Sequence, residues 1–80
     1  MTREEVFKNL TEIFWDVFDD EDIVLTDETC ADDIEDWDSL EQINLVVACE
    51  KRFNLKFDVQ EIQSLKNVGE MVDTILAKVQ

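Results

Sequence analysis

Eighty residues, 45% of them hydrophobic, make a single domain over residues 1–80, and a chain this short buries only about 60–65% of its unfolded surface. Twenty-one acidic against seven basic residues give a net charge of −14 with no histidine, which argues against nucleic acid and anionic lipid as partners through long-range repulsion. No apolar run exceeds Leu45–Cys49, so no membrane insertion is expected. The opening Met1-Thr2-Arg3-Glu4-Glu5 lacks the basic flank and apolar stretch of a signal peptide, and a cytoplasmic monomer is expected.

In chain order, Val6, Phe7, Leu10, Ile13, Phe14, Val17 and Phe18 fall within roughly 140° when wound at 3.6 residues per turn. With Thr2 and Glu5 as a capping box, they predict a first helix over 2–18. Residues 19–38 hold eleven acids and no Lys or Arg, and they lack sustained periodicity. They read as a long loop pinned by Ile23, Leu25 and Ile34. So long a loop in a compact domain implies either function or a short helix hidden within it.

A second helix is expected from Asp38 or Ser39 to about Phe53, with Asp38 as cap and Glu41 as its reciprocal partner. Leu45, Val46, Cys49 and Phe53 lie on the side that would face the core. Leu40, Ile43 and Val47 lie on another, so they either pack on a further helix or form an exposed patch beside Ser39. A short third helix is predicted at 58–65, where Asp58 and Glu61 repeat the cap pattern. A fourth begins at Asn67 with Glu70 and places Val68, Met71, Val72, Ile75, Leu76 and Val79 on one stripe. Gly69 sits awkwardly in its first turn, because glycine weakens a helix by about 1 kcal/mol relative to alanine. The fold class is therefore all-α, a bundle of four helices with a long acidic loop between the first two.

Ser39 stands where the acidic loop becomes helix. A serine nucleophile needs a base, and with no histidine, and no lysine or arginine near Ser39 in sequence, none is supplied. Such a hydroxyl suits the attachment of a group better than unaided catalysis, so no enzyme activity is expected. The carboxylates are too numerous for any pair to be informative. The acidic loop lacks the order of an EF-hand, and Cys30 and Cys49 form no zinc motif. No metal site is predicted. Cys49 reads as a small core residue.

The run Asp38-Ser39-Leu40-Glu41, followed by Ile43, Leu45-Val46-Val47-Ala48, Glu50 and Phe53, resembles the acyl carrier protein family across essentially the whole chain. That resemblance implies a 4′-phosphopantetheine arm on Ser39, taken from coenzyme A by a separate phosphopantetheinyl transferase. Asp38 would assist the transfer through a metal bound during that reaction. It also implies partner enzymes with basic docking patches, which load and process acyl groups and bind along the second helix through Leu40, Glu41, Val47 and Glu50. Ile43, Phe57 and Leu65 would line an acyl pocket.

The chain departs from the family's fatty-acid carriers at Asp36 and Trp37, where a glycine and a small residue are common. It departs again at Asn44, Lys51 and Arg52, where acids are frequent. These changes point to a specialised bacterial pathway rather than general fatty-acid synthesis. The reading from another class is an acidic interaction module or calcium-binding regulator with unmodified Ser39.

Overall fold

The computed structural model describes residues 1–79, so Gln80 of the expected 1–80 domain lies outside the described residues. Four helices run in order, α1 (Arg3–Phe18), α2 (Ser39–Phe53), α3 (Val59–Ser64) and α4 (Val68–Val79). A single 3-10 turn at Ala31–Asp33 interrupts the loop between α1 and α2. Among the described residues there is no strand.

The helix starts follow from short-range chemistry. Thr2 and Glu5 form the reciprocal capping box of α1, and Asp58 and Glu61 form that of α3. Asn67 Oδ1 accepts from Glu70 N at 2.8 Å to open α4. These side chains satisfy N–H groups that have no partner inside the helix. At α2 only half of the predicted box is present. Asp38 Oδ1 accepts from Glu41 N at 2.9 Å, but the Glu41 carboxylate turns to Asn44 Nδ2 at 3.0 Å. The Asp38 N–H bonds to the Asp36 carbonyl instead. Helices α1 and α2 stop at Asp19 and Asn54, both left-handed with φ of 52° and 55°, a conformation that short polar side chains tolerate.

Helix α1 packs on both α2 and α4. Its Val6, Leu10 and Phe14 are fully buried with Leu45 and Cys49 of α2 and Val68, Met71, Val72 and Ile75 of α4. Each large apolar side chain so buried stabilises by about 1.5–3 kcal/mol. The loop expectations hold, since Ile23, Leu25 and Ile34 all pack against this core. The short helix hidden in the loop is the turn at Ala31–Asp33, capped by Cys30 and Asp33. Trp37, read in sequence only as a departure, is a core residue at 8% exposure.

Three of the cations tie elements together. Arg3 bridges Asp27 of the loop and Asp73 of α4. Arg52 reaches from α2 to Glu12 of α1, and Lys78 of α4 meets Glu61 of α3 at 2.8 Å. All are at least partly open to solvent, so their individual contributions are small.

The first turn of α4 is also served by the loop. The Thr29 carbonyl accepts from Val68 N at 2.8 Å, and the Asp27 carbonyl accepts from Gly69 N at 3.0 Å. This close approach explains Gly69. A Cβ there would lie 2.9 Å from Asp27 Oδ1 and 3.0 Å from its carbonyl oxygen. Helix propensity alone predicts that Gly69→Ala stabilises by up to about 1 kcal/mol. The crowding predicts the opposite, a net loss of about 1–3 kcal/mol, and urea unfolding of the two proteins decides the sign.

The hydrogen bond from Lys78, then that from the Asp58 backbone, holds the Glu61 carboxyl below its ordinary value. Glu5 is lowered in the same way, first by the Thr2 backbone N–H. A folded-state value below the unfolded one stabilises above the unfolded value, and that stabilisation is lost as pH falls through the folded value. Stability should therefore decline as pH drops below about 4.5. The Glu5→Gln/Glu61→Gln variant, which keeps the box geometry, should show a shallower decline in urea midpoint between about pH 5 and 3.

Candidate functional site

The chain turns twice just before α2. Trp37 N donates to the Ile34 carbonyl and Asp38 N to the Asp36 carbonyl, both at 3.1 Å. The turn sends Trp37 inward, where its ring meets Phe14 edge-on with centroids 5.2 Å apart. Asp38 then caps the helix, and Ser39, the first helical residue, is exposed. Three consecutive residues thus have three destinations: core, cap and solvent.

Ser39 opens a cleft of about 630 Å³ between the start of α2 and the α3 region. Its lining includes Trp37, Gln42, Ile43, Ile62, Leu65 and Lys66. The structure therefore brings Ile43 and Leu65 together beside Ser39, as the sequence reading proposed. Phe57 lies elsewhere. It is buried at 8% exposure, its N–H is held by Glu50 Oε2 at 2.9 Å, and Lys78 Nζ stands over its ring at 5.8 Å. Folding the α2–α3 connection back onto Glu50 draws Phe57 into the core and out of the cleft. Gln42, Ile62 and Lys66 were missed. Gln42 was legible, since a residue three positions after Ser39 shares its helix face; the approach of α3 was not.

The second apolar set on α2 is exposed. Leu40, Ile43 and Val47 have relative accessibilities of 66%, 57% and 41%, so they form a patch on the flank of the Ser39 helix and add nothing to the core. Glu41 and Asn44 lie beside it, joined to each other. Glu50 is only half-exposed and uses one oxygen on Phe57 N. It shares a second groove of about 430 Å³ with Val47, Lys51, Asn54, Leu55 and Lys56.

Chemically this arrangement offers an exposed hydroxyl, with Lys66 the one cation lining its cleft. The adjoining carboxylate, Asp38, has one oxygen engaged by Glu41 N. Burial, and then the neighbouring Glu50, pushes the Cys49 thiol up to about 12, so it stays protonated and unreactive near neutral pH. Among the described residues no group of three or more His, Cys, Asp or Glu is placed to hold a metal ion, and no helix is long and apolar enough to cross a membrane. The same geometry fits a phosphate-linked group on Ser39. The N–H groups at positions 39 and 40 belong to the unpaired first turn of α2, where they and the helix dipole favour an anion.

Fold and site together define a small helical module that displays a serine at the head of a helix. The family model described as the phosphopantetheine attachment site matches residues 10–75. The chain is 35% identical over 79 residues to an acyl carrier protein of Petrotoga mobilis, covering 98% of this chain and 92% of that one. It is 34% identical over 76 residues to an acyl carrier protein of Acidothermus cellulolyticus, with 94% and 89% covered. The solved structure of a holo acyl carrier protein from Geobacter metallireducens superimposes with a TM-score of 0.88 at 49% identity, covering 92% of this chain and 85% of that one.

The chain belongs to the acyl carrier protein family. Members are carriers and not enzymes, and their prosthetic group is 4′-phosphopantetheine. A phosphopantetheinyl transferase and acyl-processing enzymes are the partners that family membership implies.

Asp38→Ala removes the cap of α2 and should cost about 1 kcal/mol in urea unfolding, whereas Asp38→Asn, which still caps, should cost only a few tenths. Equal losses in the two variants would mean that charge, and not the cap, is what Asp38 contributes.

Proposed function

We propose that Ser39 is the attachment point, and that the chain carries acyl or related groups as thioesters on a 4′-phosphopantetheine arm in a specialised biosynthetic pathway. One observation carries the reading: among the described residues Ser39 combines exposure, the first position of a capped helix and a place in the lining of a cleft. In the transfer, the Ser39 hydroxyl oxygen attacks the β-phosphorus of coenzyme A. A phosphodiester forms, adenosine 3′,5′-bisphosphate leaves, and the transferase takes the hydroxyl proton. Asp38, exposed and next to the serine in sequence, would share a metal ion with that enzyme in this reading. The arm supplies a terminal thiol, and a tether of this kind gives one intermediate a high effective concentration at successive active sites.

Leu40, Glu41 and Val47 form the docking face in this reading, with Glu50 contributing only its remaining oxygen. Charge guides the encounter, because residues 19–38 carry eleven acids without a cation and attract basic patches on partner enzymes. The specialised role rests on Asn44 and Lys51, which are exposed on α2. Arg52 does not alter the face, since it is engaged with Asn9 and Glu12, and Trp37 acts from below it. A cytoplasmic location follows from the supply of coenzyme A and the partner enzymes.

Incubation with coenzyme A, Mg²⁺ and a broad-specificity phosphopantetheinyl transferase should add one arm by intact mass to the wild type and none to Ser39→Ala. An unmodified wild type, or an unchanged gain in the variant, would sink the assignment. Efficient loading and elongation of the holo-protein by fatty-acid enzymes would favour the general role over the specialised one.

A further inference from the structure

The cleft beside Ser39 meets the core at Trp37, the one buried residue among those that line it. Trp37 lines the cleft and also stands edge-on to Phe14, which is wholly buried. The indole ring is therefore a partition between the cleft and the α1 core. Its position is locked, because Trp37 Nε1 donates to Gln42 Oε1 at 2.6 Å.

That bond also orients Gln42. An indole N–H only donates, so the Gln42 oxygen must face it and the amide NH₂ must point away. Gln42 lines the same cleft. No buried side-chain polar atom among the described residues lacks a partner, so the NH₂ is an accessible donor at the cleft wall. Gln63 and Lys66 add further polar groups to the lining.

We propose that the Trp37–Gln42 pair is the cargo-selecting element of this carrier: it bars long alkyl chains from the core and favours short acyl groups bearing a hydroxyl or carbonyl acceptor. Such an acceptor takes a hydrogen bond from the Gln42 amide, whereas a long chain finds the indole in the way of the core and is held no deeper than the solvent-open cleft. The inference rests on Ser39 carrying the arm.

The test loads the wild-type chain from octanoyl-, butyryl- and 3-hydroxybutyryl-coenzyme A with the same transferase. Failure of any arm to attach refutes the Ser39 assignment and is visible as mass before cargo is considered. Hydroxylamine then takes the acyl group as the hydroxamate and frees the thiol. A chain buried in the core would slow this by orders of magnitude, since each sheltered methylene is worth about 0.8 kcal/mol. The octanoyl protein should react within about three-fold of free octanoyl-pantetheine, and stronger protection overturns the partition.

Trp37→Ala, where it folds, should gain protection of the octanoyl group, and unaltered exposure in a folded variant counts against the partition. The wild-type result stands without that variant. For the donor, 3-hydroxybutyryl should move the Trp37 indole N–H resonance more than butyryl does, and Gln42→Leu should erase the difference. Trp15, whose indole donates to the Ile23 carbonyl, serves as the internal reference. Equal movement with both cargoes in the wild type overturns the hydrogen-bonding role.

Discussion

The edge-on seating of Trp37 against Phe14 is the contact on which the presentation of Ser39 depends. The acidic loop has no regular structure of its own beyond one 3-10 turn, and its repulsive charges favour expansion. Anchoring its last stretch needs an apolar side chain large enough to offset that tendency, and aromatic pairs contribute about 0.5–1.5 kcal/mol beyond their buried area. Once Trp37 is fixed, Asp38 stands where its carboxylate reaches Glu41 N, and Ser39 is directed outward. The hydroxyl is thus displayed by a residue two positions before it.

The distribution of charge completes this arrangement. Arg3, Arg52 and Lys78 are drawn into ties between elements, away from the turn that precedes α2. Around Ser39 stand Asp36, Asp38 and Glu41, all at or near the surface, with Lys66 on the cleft wall. A uniformly acidic protein would be only soluble. Here three of the seven cations are tied into the frame, so the acidic region keeps a strongly negative field for steering partners.

The relation between loop and final helix has the same economy. Thr29 and Asp27 lend carbonyls to Val68 and Gly69, which removes orphan N–H groups from α4 and fastens the middle of the loop to the bundle. Glycine is what allows the backbones to come so close. With the loop held at Asp27–Thr29 and at Trp37, the 3-10 turn between them is confined, and its Ala31 becomes one wall of the cleft.

Much of this was legible in the sequence, and the boundary is physical. Periodicity and caps act within one or two turns of chain, so Thr2 with Glu5, Asp58 with Glu61 and the apolar stripes fixed the helices almost to the residue. The same local logic singled out Ser39 as a hydroxyl without a base. What depended on residues far apart in the chain was not legible. Gly69 looked like a defect until Asp27 was seen against it, and Trp37 looked like a surface departure until Phe14 was seen beneath it. Phe57 falls outside the cleft lining because the Glu50 contact that turns it inward joins two elements. The sequence by itself determined the helices, the charge and the serine, because those follow from near neighbours. Only the tertiary structure decided that Leu40, Ile43 and Val47 stay exposed and that Trp37 lines a cleft, because burial is a property of which surfaces meet.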